Sequence, residues 1–462
     1  MQVVSQLNYE KVSIAHPQEL MVQIQPINNV GGNTSGVALS NSAVYGPISF
    51  LINSRCLNLA RSTIEYDLEI ATTTSNYNWV QACAGAQISR MVLTGQSTNS
   101  VLCDISNLDR YATGVAPALT LNDTLLNSYS GLYTDSTTAI VPLSTTAATT
   151  PAVPVGVFSK ANGIVNVDGL NQAYGPGYEN KRNLFVGSAT TGTDRLSVIM
   201  KLGDLAPLSC LALDKVIYYA GENLMLDVYF NQVNRFAWIG TSNTNPLTGA
   251  AAASTCTLKN LKMKISTEQN SEIISELVNR VNGPGMELQF AYPICYKSNL
   301  SGTSQSATLN LSRGFGERLL AVCSVPYNNT ESLNSAQDHS IPTLINSSTS
   351  GTLQTYMDSV PIQTNNPASI FNGDLYLYNK NKLRHSIIKA SAQYNIDFVQ
   401  IDSFVRDALC QVDMTNVDGF DLSTNHQYSF ELTLSASSTL NWYIFLICQK
   451  RLLLGSQGMQ IA

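Results

Sequence analysis

Four histidines, nine cysteines and a run of aspartates are the residues of this chain with the chemistry to ligate a metal or move a proton. His16, His339, His385 and His426 are dispersed, and none has a Cys or second His at zinc-ligand spacing. Cys56, Cys83, Cys103, Cys210, Cys256, Cys295, Cys323, Cys410 and Cys448 form no C-x-x-C pair, and their number is odd. Most sit inside apolar runs, as in Leu446-Ile447-Cys448, and read as reduced, buried small hydrophobes rather than a disulfide framework. Reduced thiols point to assembly in a reducing cell interior. Asp397, Asp402, Asp407 and Asp413 could pair for general acid–base work. Interleaved with Phe398, Ile401 and Phe404, they read instead as polar positions beside an apolar stripe. The phosphate-cradling, dinucleotide, nucleophile-elbow and H-E-x-x-H motifs do not occur. The sequence therefore assigns no catalytic, cofactor-binding or metal residue, and no cofactor is expected.

Charge excludes a further class. Charged residues make up 13% of the chain, about half the usual share, and the net charge is −6. The first 45 residues hold one Lys and no Arg. Proteins that bind nucleic acid by charge need a basic patch or arm to neutralise phosphates, so direct, sequence-specific genome binding is not expected. Ser, Thr and Asn supply the polar surface instead, which suits a chain much of whose surface is covered by neighbours. The opening Met1-Gln-Val-Val-Ser-Gln lacks the basic and apolar regions of a signal peptide. The longest apolar run, Trp442–Cys448, is far below the ~20 residues that span a bilayer. A soluble protein, not exported by a signal peptide, is expected.

The elements that would position any chemistry are strands. Ile64, Tyr66, Leu68 and Ile70 alternate with Glu65, Asp67 and Glu69, and Leu224, Leu226, Val228 and Phe230 alternate with Met225, Asp227 and Tyr229. Leu261, Met263 and Ile265 alternate with Lys262 and Lys264, and Tyr428, Phe430, Leu432 and Leu434 with Ser429, Glu431 and Thr433. Two-residue alternation buries one face of a strand and wets the other. One helix is expected over Glu268–Val281, with Ile273, Ile274, Leu277, Val278 and Val281 on one face and a stop at Gly283-Pro284-Gly285. Shorter helices are expected at Asp104–Tyr111 and around Ser403–Cys410. Stretches 113–155, 162–193, 298–312 and 327–373 are poor in large apolar residues and read as long, partner-facing loops.

At 462 residues the chain exceeds the ~250–300 at which a single core stops growing. A Gly-, Asn- and Thr-rich stretch at 240–255 reads as the joint between two β units of similar size. The first closes on Ile217–Phe230; the second opens at Leu258–Ile265 and closes on Tyr428–Gln449.

Several segments together resemble double jelly-roll major capsid proteins of double-stranded DNA viruses, of the polinton-like, adintovirus and virophage type. Asn58-Leu-Ala-Arg61 followed by Ser62–Ile70 is similar to the family's early strand, and Ile88–Gly95 with Ser100–Tyr111 to the hairpin and short helix after it. Leu202–Cys210, then Asp214–Tyr219 and Leu224–Phe230, resembles the closing segment of the first roll. Leu258–Ile265, Pro293–Lys297 and Tyr428–Leu453 fit the second. The resemblance implies an all-β chain of two consecutive eight-stranded jelly-roll sandwiches with long loops and a few short helices. It divides into an arm at 1–44, a first roll at 45–240, a linker at 241–254, a second roll at 255–451 and a tail at 452–462. It also implies pseudo-hexagonal homotrimers that tile an icosahedral virion shell, with neighbouring capsomers, penton and minor capsid proteins and, in many members, an internal membrane or membrane protein as partners. No catalytic or ligand residue carries over. The rival readings are a small-virus capsid protein with one jelly-roll shell and a protruding domain, and a jelly-roll lectin or adhesin. An enzyme comes last.

Overall fold

The computed structural model describes residues 17–27, 36–72, 77–81, 84–115, 192–206, 208–240, 256–328, 351–362 and 419–461. It also describes short strands at 132–134, 157–159, 163–165, 183–187, 251–252, 368–369 and 400–403. In the first half β1 is Glu19–Ile24, β2 Tyr45–Ile52, β3 Cys56–Thr72, β4 Ile88–Gly95, β5 Val101–Ser106, β6 Leu132–Thr134, β7 Gly192–Lys201 and β8 Leu224–Phe230. Then come β9 (Cys256–Glu268), α1 (Ser271–Asn282), β10 (Met286–Leu311), β11 (Arg318–Asn328), β12 (Gly351–Met357), β13 (Gln400–Ser403), β14 (His426–Gly455) and β15 (Gly458–Ile461).

The pairing is nested. In the first half β2 pairs with β8 and β8 with β4, while β3 pairs with β7 and β7 with β6. Numbered in chain order, the six strands pair 1–6–3 in one sheet and 2–5–4 in the other, which is a long hairpin rolled over on itself. The second half repeats this order within two very long strands. Residues 286–302 of β10 pair with 438–454 of β14, and 304–311 pair with 426–433, with the register shifting between Gly302 and Ser304. Gly302 has φ +107, so the strand turns the corner where a side chain would be strained. β11 joins the 440–449 part of β14 and β12 joins 428–434, again 1–6–3 and 2–5–4. β13 adds a further strand beside β11.

Each alternating run buries its apolar side. Ile48, Phe50, Leu226 and Val228 of one sheet meet Ile64, Tyr66 and Leu68 of the other, and the Tyr66 and Phe230 rings meet edge-on at 5.2 Å. Leu440, Trp442, Ile444, Leu446 and Cys448 pack against Tyr428, Phe430 and Leu432 inside the second roll. Fully burying such side chains contributes about 1.5–3 kcal/mol each. The 440–449 part of β14 is buried on both faces, because Tyr443, Phe445 and Ile447 turn the other way and pack on the first roll. That is why Trp442–Cys448 is a continuous apolar run rather than an alternating one.

The structure differs from the sequence expectations in several places. Of the expected loop 298–312, residues 298–311 are strand: β10 runs through Leu311, and its Ser and Thr positions lie on a largely solvent-facing ladder that needs few large apolar residues. The strand expected to open the second roll, β9, pairs with β1 and β3 of the first half. Residues beyond 452 are not a loose tail, since β15 pairs back on β14 and Met459 is buried. The helix begins at Ser271, where the Asn270 side chain accepts a bond from the Glu272 amide, and ends before Gly283. Asp104 lies in β5, and the helical segment there starts only at Leu108, as an α turn through Arg110 that continues as a π turn over Tyr111–Val115. Ser403 closes β13; the rest of the expected helix to Cys410 lies outside the described residues, as do Asp397, Asp407, Asp413, most of 113–193 and most of 240–255.

Candidate functional site

Three places gather polar or charged side chains. The first is the outer face of the β1–β9–β3–β7 sheet. Period-two alternation turns Glu65, Asp67 and Glu69 of β3 outward, and their neighbours on β9 are lysines. Lys259 Nζ lies 2.5 Å from Glu69, Lys264 Nζ 2.6 Å from Glu65, and Lys262 Nζ 3.4 Å from Glu65. Opposite charges on facing strands stabilise the pairing and set its partner. Asp67 accepts bonds from Ser197 Oγ at 2.7 Å and Asn260 Nδ2 at 2.6 Å. Asn260 sits at φ +53 where the register shifts between Lys259 and Lys262. This face is recessed, with a cavity of about 440 Å³ whose rim includes Gln23 and Gln25.

The second place is the seam between the rolls. Asp109 and Arg110, 3% and 2% exposed, stand on the helical turn after β5. Asp109 Oδ2 receives Arg235 Nη1 at 3.1 Å. The Arg110 guanidinium lies 4.1 Å from the Tyr327 ring centre and 5.7 Å from that of Tyr443, both in the second roll. Nearby, Lys450 Nζ lies 4.1 Å over the Tyr292 ring, and burial pushes its amine below the usual lysine value. The C-terminal hairpin closes the same seam, with Ser100 Oγ donating to the Met459 carbonyl at 3.1 Å.

The third place is a hydroxyl–imidazole–carboxylate series. His426 Nε2 is 2.8 Å from Thr424 Oγ1, and Nδ1 is 2.7 Å from Asp358 Oδ2. The order is that of an acyl-transfer triad. A triad carboxylate is buried, whereas the Asp358 side chain is 45% exposed. Asp358 also accepts the Gln427 amide at 2.8 Å, so the series ties the turn after β12 to the start of β14. His426 holds the Asp358 carboxyl below the usual carboxylate range. Sequence spacing could not find this pair, because 68 residues separate its members. The other three histidines lie outside the described residues.

No disulfide joins any of the seven described cysteines to another, and all but the half-buried Cys295 are buried. Among the described residues no group of three or more His, Cys, Asp or Glu is placed to hold a metal ion, and no helix is long and apolar enough to cross a membrane. Trp442 is core, its indole donating to Gln305 Oε1 at 3.2 Å.

No protein-family model matches the chain, and no curated protein matches it in sequence. Solved structures do match, along nearly its whole length. The Sputnik virophage cryo-EM structure superposes with a TM-score of 0.57 at 11% identity, covering 97% of this chain and 89% of that one. The chain has the double jelly-roll fold of viral major capsid proteins. The PBCV-1 virus capsid matches with a TM-score of 0.55 at 11% identity over 97% of both chains. The mavirus major capsid protein matches at 0.52 and 9% identity over 96% of this chain and 90% of that one. By their descriptions, the PBCV-1 and mavirus matches are a virus capsid and a major capsid protein.

Proposed function

We propose that the chain is a viral major capsid protein whose working unit is a homotrimer of near-hexagonal outline, and that such trimers tile an icosahedral shell. The observation that carries this reading is the repeated 1–6–3 and 2–5–4 pairing in two rolls that share a buried seam. Three such chains around a threefold axis present six similar sandwiches, so one gene product can fill a hexagonal lattice position. Closed symmetry leaves no unsatisfied copy of the interface. The rolls are assigned to 45–240 and 255–451, with β9 as the strand that leaves the linker and stays paired to the first. Neighbouring capsomers, penton and minor capsid proteins, and an internal membrane or membrane protein are the partners this role requires. The virion is its destination, after assembly inside the host cell. No residue is assigned a catalytic, cofactor or metal role. Negative-stain electron microscopy of the purified chain tests the outline: six-lobed, threefold particles support the reading, and elongated two-lobed single chains would refute it.

A further inference from the structure

The recess on the outer face of the β1–β9–β3–β7 sheet has a chemistry that shell-building does not require. Glu65 and Asp67 stand on an outward face yet are each only 7% exposed. Both carboxylates are held: Glu65 by Lys262 and Lys264, Asp67 by the Ser197 hydroxyl and the Asn260 amide. Holding Asn260 at left-handed φ costs free energy, and a bulge with such a residue re-aims one side chain from the sheet. Here it aims the amide at Asp67.

We propose that this recess is a binding site for a neutral saccharide. Four observations select that class. The lining carries two carboxylates and one ammonium, that of Lys262, so it repels a phosphate or a sulfate, and both carboxylates are already engaged, Glu65 by lysines and Asp67 by a hydroxyl and an amide, which disfavours a cation. The polar groups are already fixed and desolvated by one another, so a ligand meets a preorganised surface and the cost of ordering it is low. The lining mixes acceptors, on Glu65 and Asp67, with donors and amides on Lys262, Gln23 and Gln25. A sugar hydroxyl both donates and accepts and can serve each kind in turn. Finally, Ile199, 45% exposed on β7 at the edge of the recess, gives an apolar patch for the C–H face of a pyranose ring. The volume of about 440 Å³ falls within the range of small-ligand sites and admits a short oligosaccharide rather than a single hydroxyl compound.

The test uses the full chain on an array of neutral, sialylated and sulfated glycans, with the best neutral glycan then titrated in solution. Ile199→Asp and Gln25→Ala alter groups that no core contact depends on, so both variants fold, which circular dichroism and native mass confirm. Neutral glycans bind the unaltered chain, and each variant weakens binding by about tenfold, or ~1.4 kcal/mol. The site is refuted if only anionic glycans bind, if no neutral glycan binds, or if Ile199→Asp binds as the unaltered chain does. Native mass of the same samples reports the oligomer independently, so a trimer without glycan binding overturns this inference alone.

Discussion

The guanidinium of Arg110 lies 4.1 Å from the centre of the Tyr327 ring, and this contact joins a helical turn of the first roll to a strand of the second. Arg110 is 2% exposed, beside the equally buried Asp109, so its charge is stabilised by a carboxylate and by ring faces rather than by water. A buried ion held in this way contributes more to fixing one arrangement than to net stability, because desolvating it offsets most of the attraction.

Replacing Arg110 with Met, which retains most of the volume, leaves Asp109 still paired with Arg235. The loss is expected to be about 3 kcal/mol in denaturant unfolding, in the range for breaking one side of a buried pair. Tyr327→Leu should couple to it by about 1 kcal/mol in a double-mutant cycle. Additive effects of the two changes would mean that the ring contact carries no energy.

The cysteines give a second expectation. Burial pushes the Cys56 thiol up to about 11 and those of Cys256, Cys295 and Cys448 up to about 12, so almost no thiolate exists at neutral pH. In the native protein at pH 8 these four should resist iodoacetamide for hours. After unfolding without reductant, all nine cysteines should alkylate, and recovery of three or fewer would contradict the reduced state.

How much of this was legible in the sequence follows from what each signal reports. The alternation at Ile64–Ile70 and Tyr428–Leu434 reports one wet face, and it located β3 and β14 because those strands have one. Glu65, Asp67 and Glu69 face Lys259, Lys262 and Lys264 across β3 and β9, but in the sequence these were two separate patterns, and β9 was expected to open the second roll. What failed is what tertiary contact decides. The Ser- and Thr-rich 298–312 reads as loop because its strand needs little apolar content where it faces solvent. The seam is silent in sequence because Asp109, Arg110, Tyr327 and Tyr443 come from distant segments. The Thr424–His426–Asp358 series is silent for the same reason.

Acid should act through exposed pairs. Hydrogen bonds from the Arg61 guanidinium, its Nε 2.7 Å away, hold the Asp214 carboxyl below the usual range. A depressed carboxyl contributes stability that is complete above its unfolded value of about 3.9 and is lost as pH falls through the lower folded value. Arg61→Gln should therefore make unfolding free energy fall less steeply from about pH 5 to about pH 3. The difference should stay under about 1 kcal/mol, because both side chains are more than half exposed. An unchanged slope would show that the pair is absent in solution.

Genome packaging should not run through this chain by charge. With a net charge of −6, affinity for duplex DNA at ~150 mM salt should be no tighter than about 10⁻⁴ M. A salt-sensitive micromolar complex in fluorescence anisotropy would contradict it.

Native mass spectrometry of the full chain at micromolar concentration tests the capsomer most directly. The chain weighs 50.0 kDa, and the account predicts a dominant species of three times that mass that persists on dilution. A stable monomer or dimer with no trimer would contradict it.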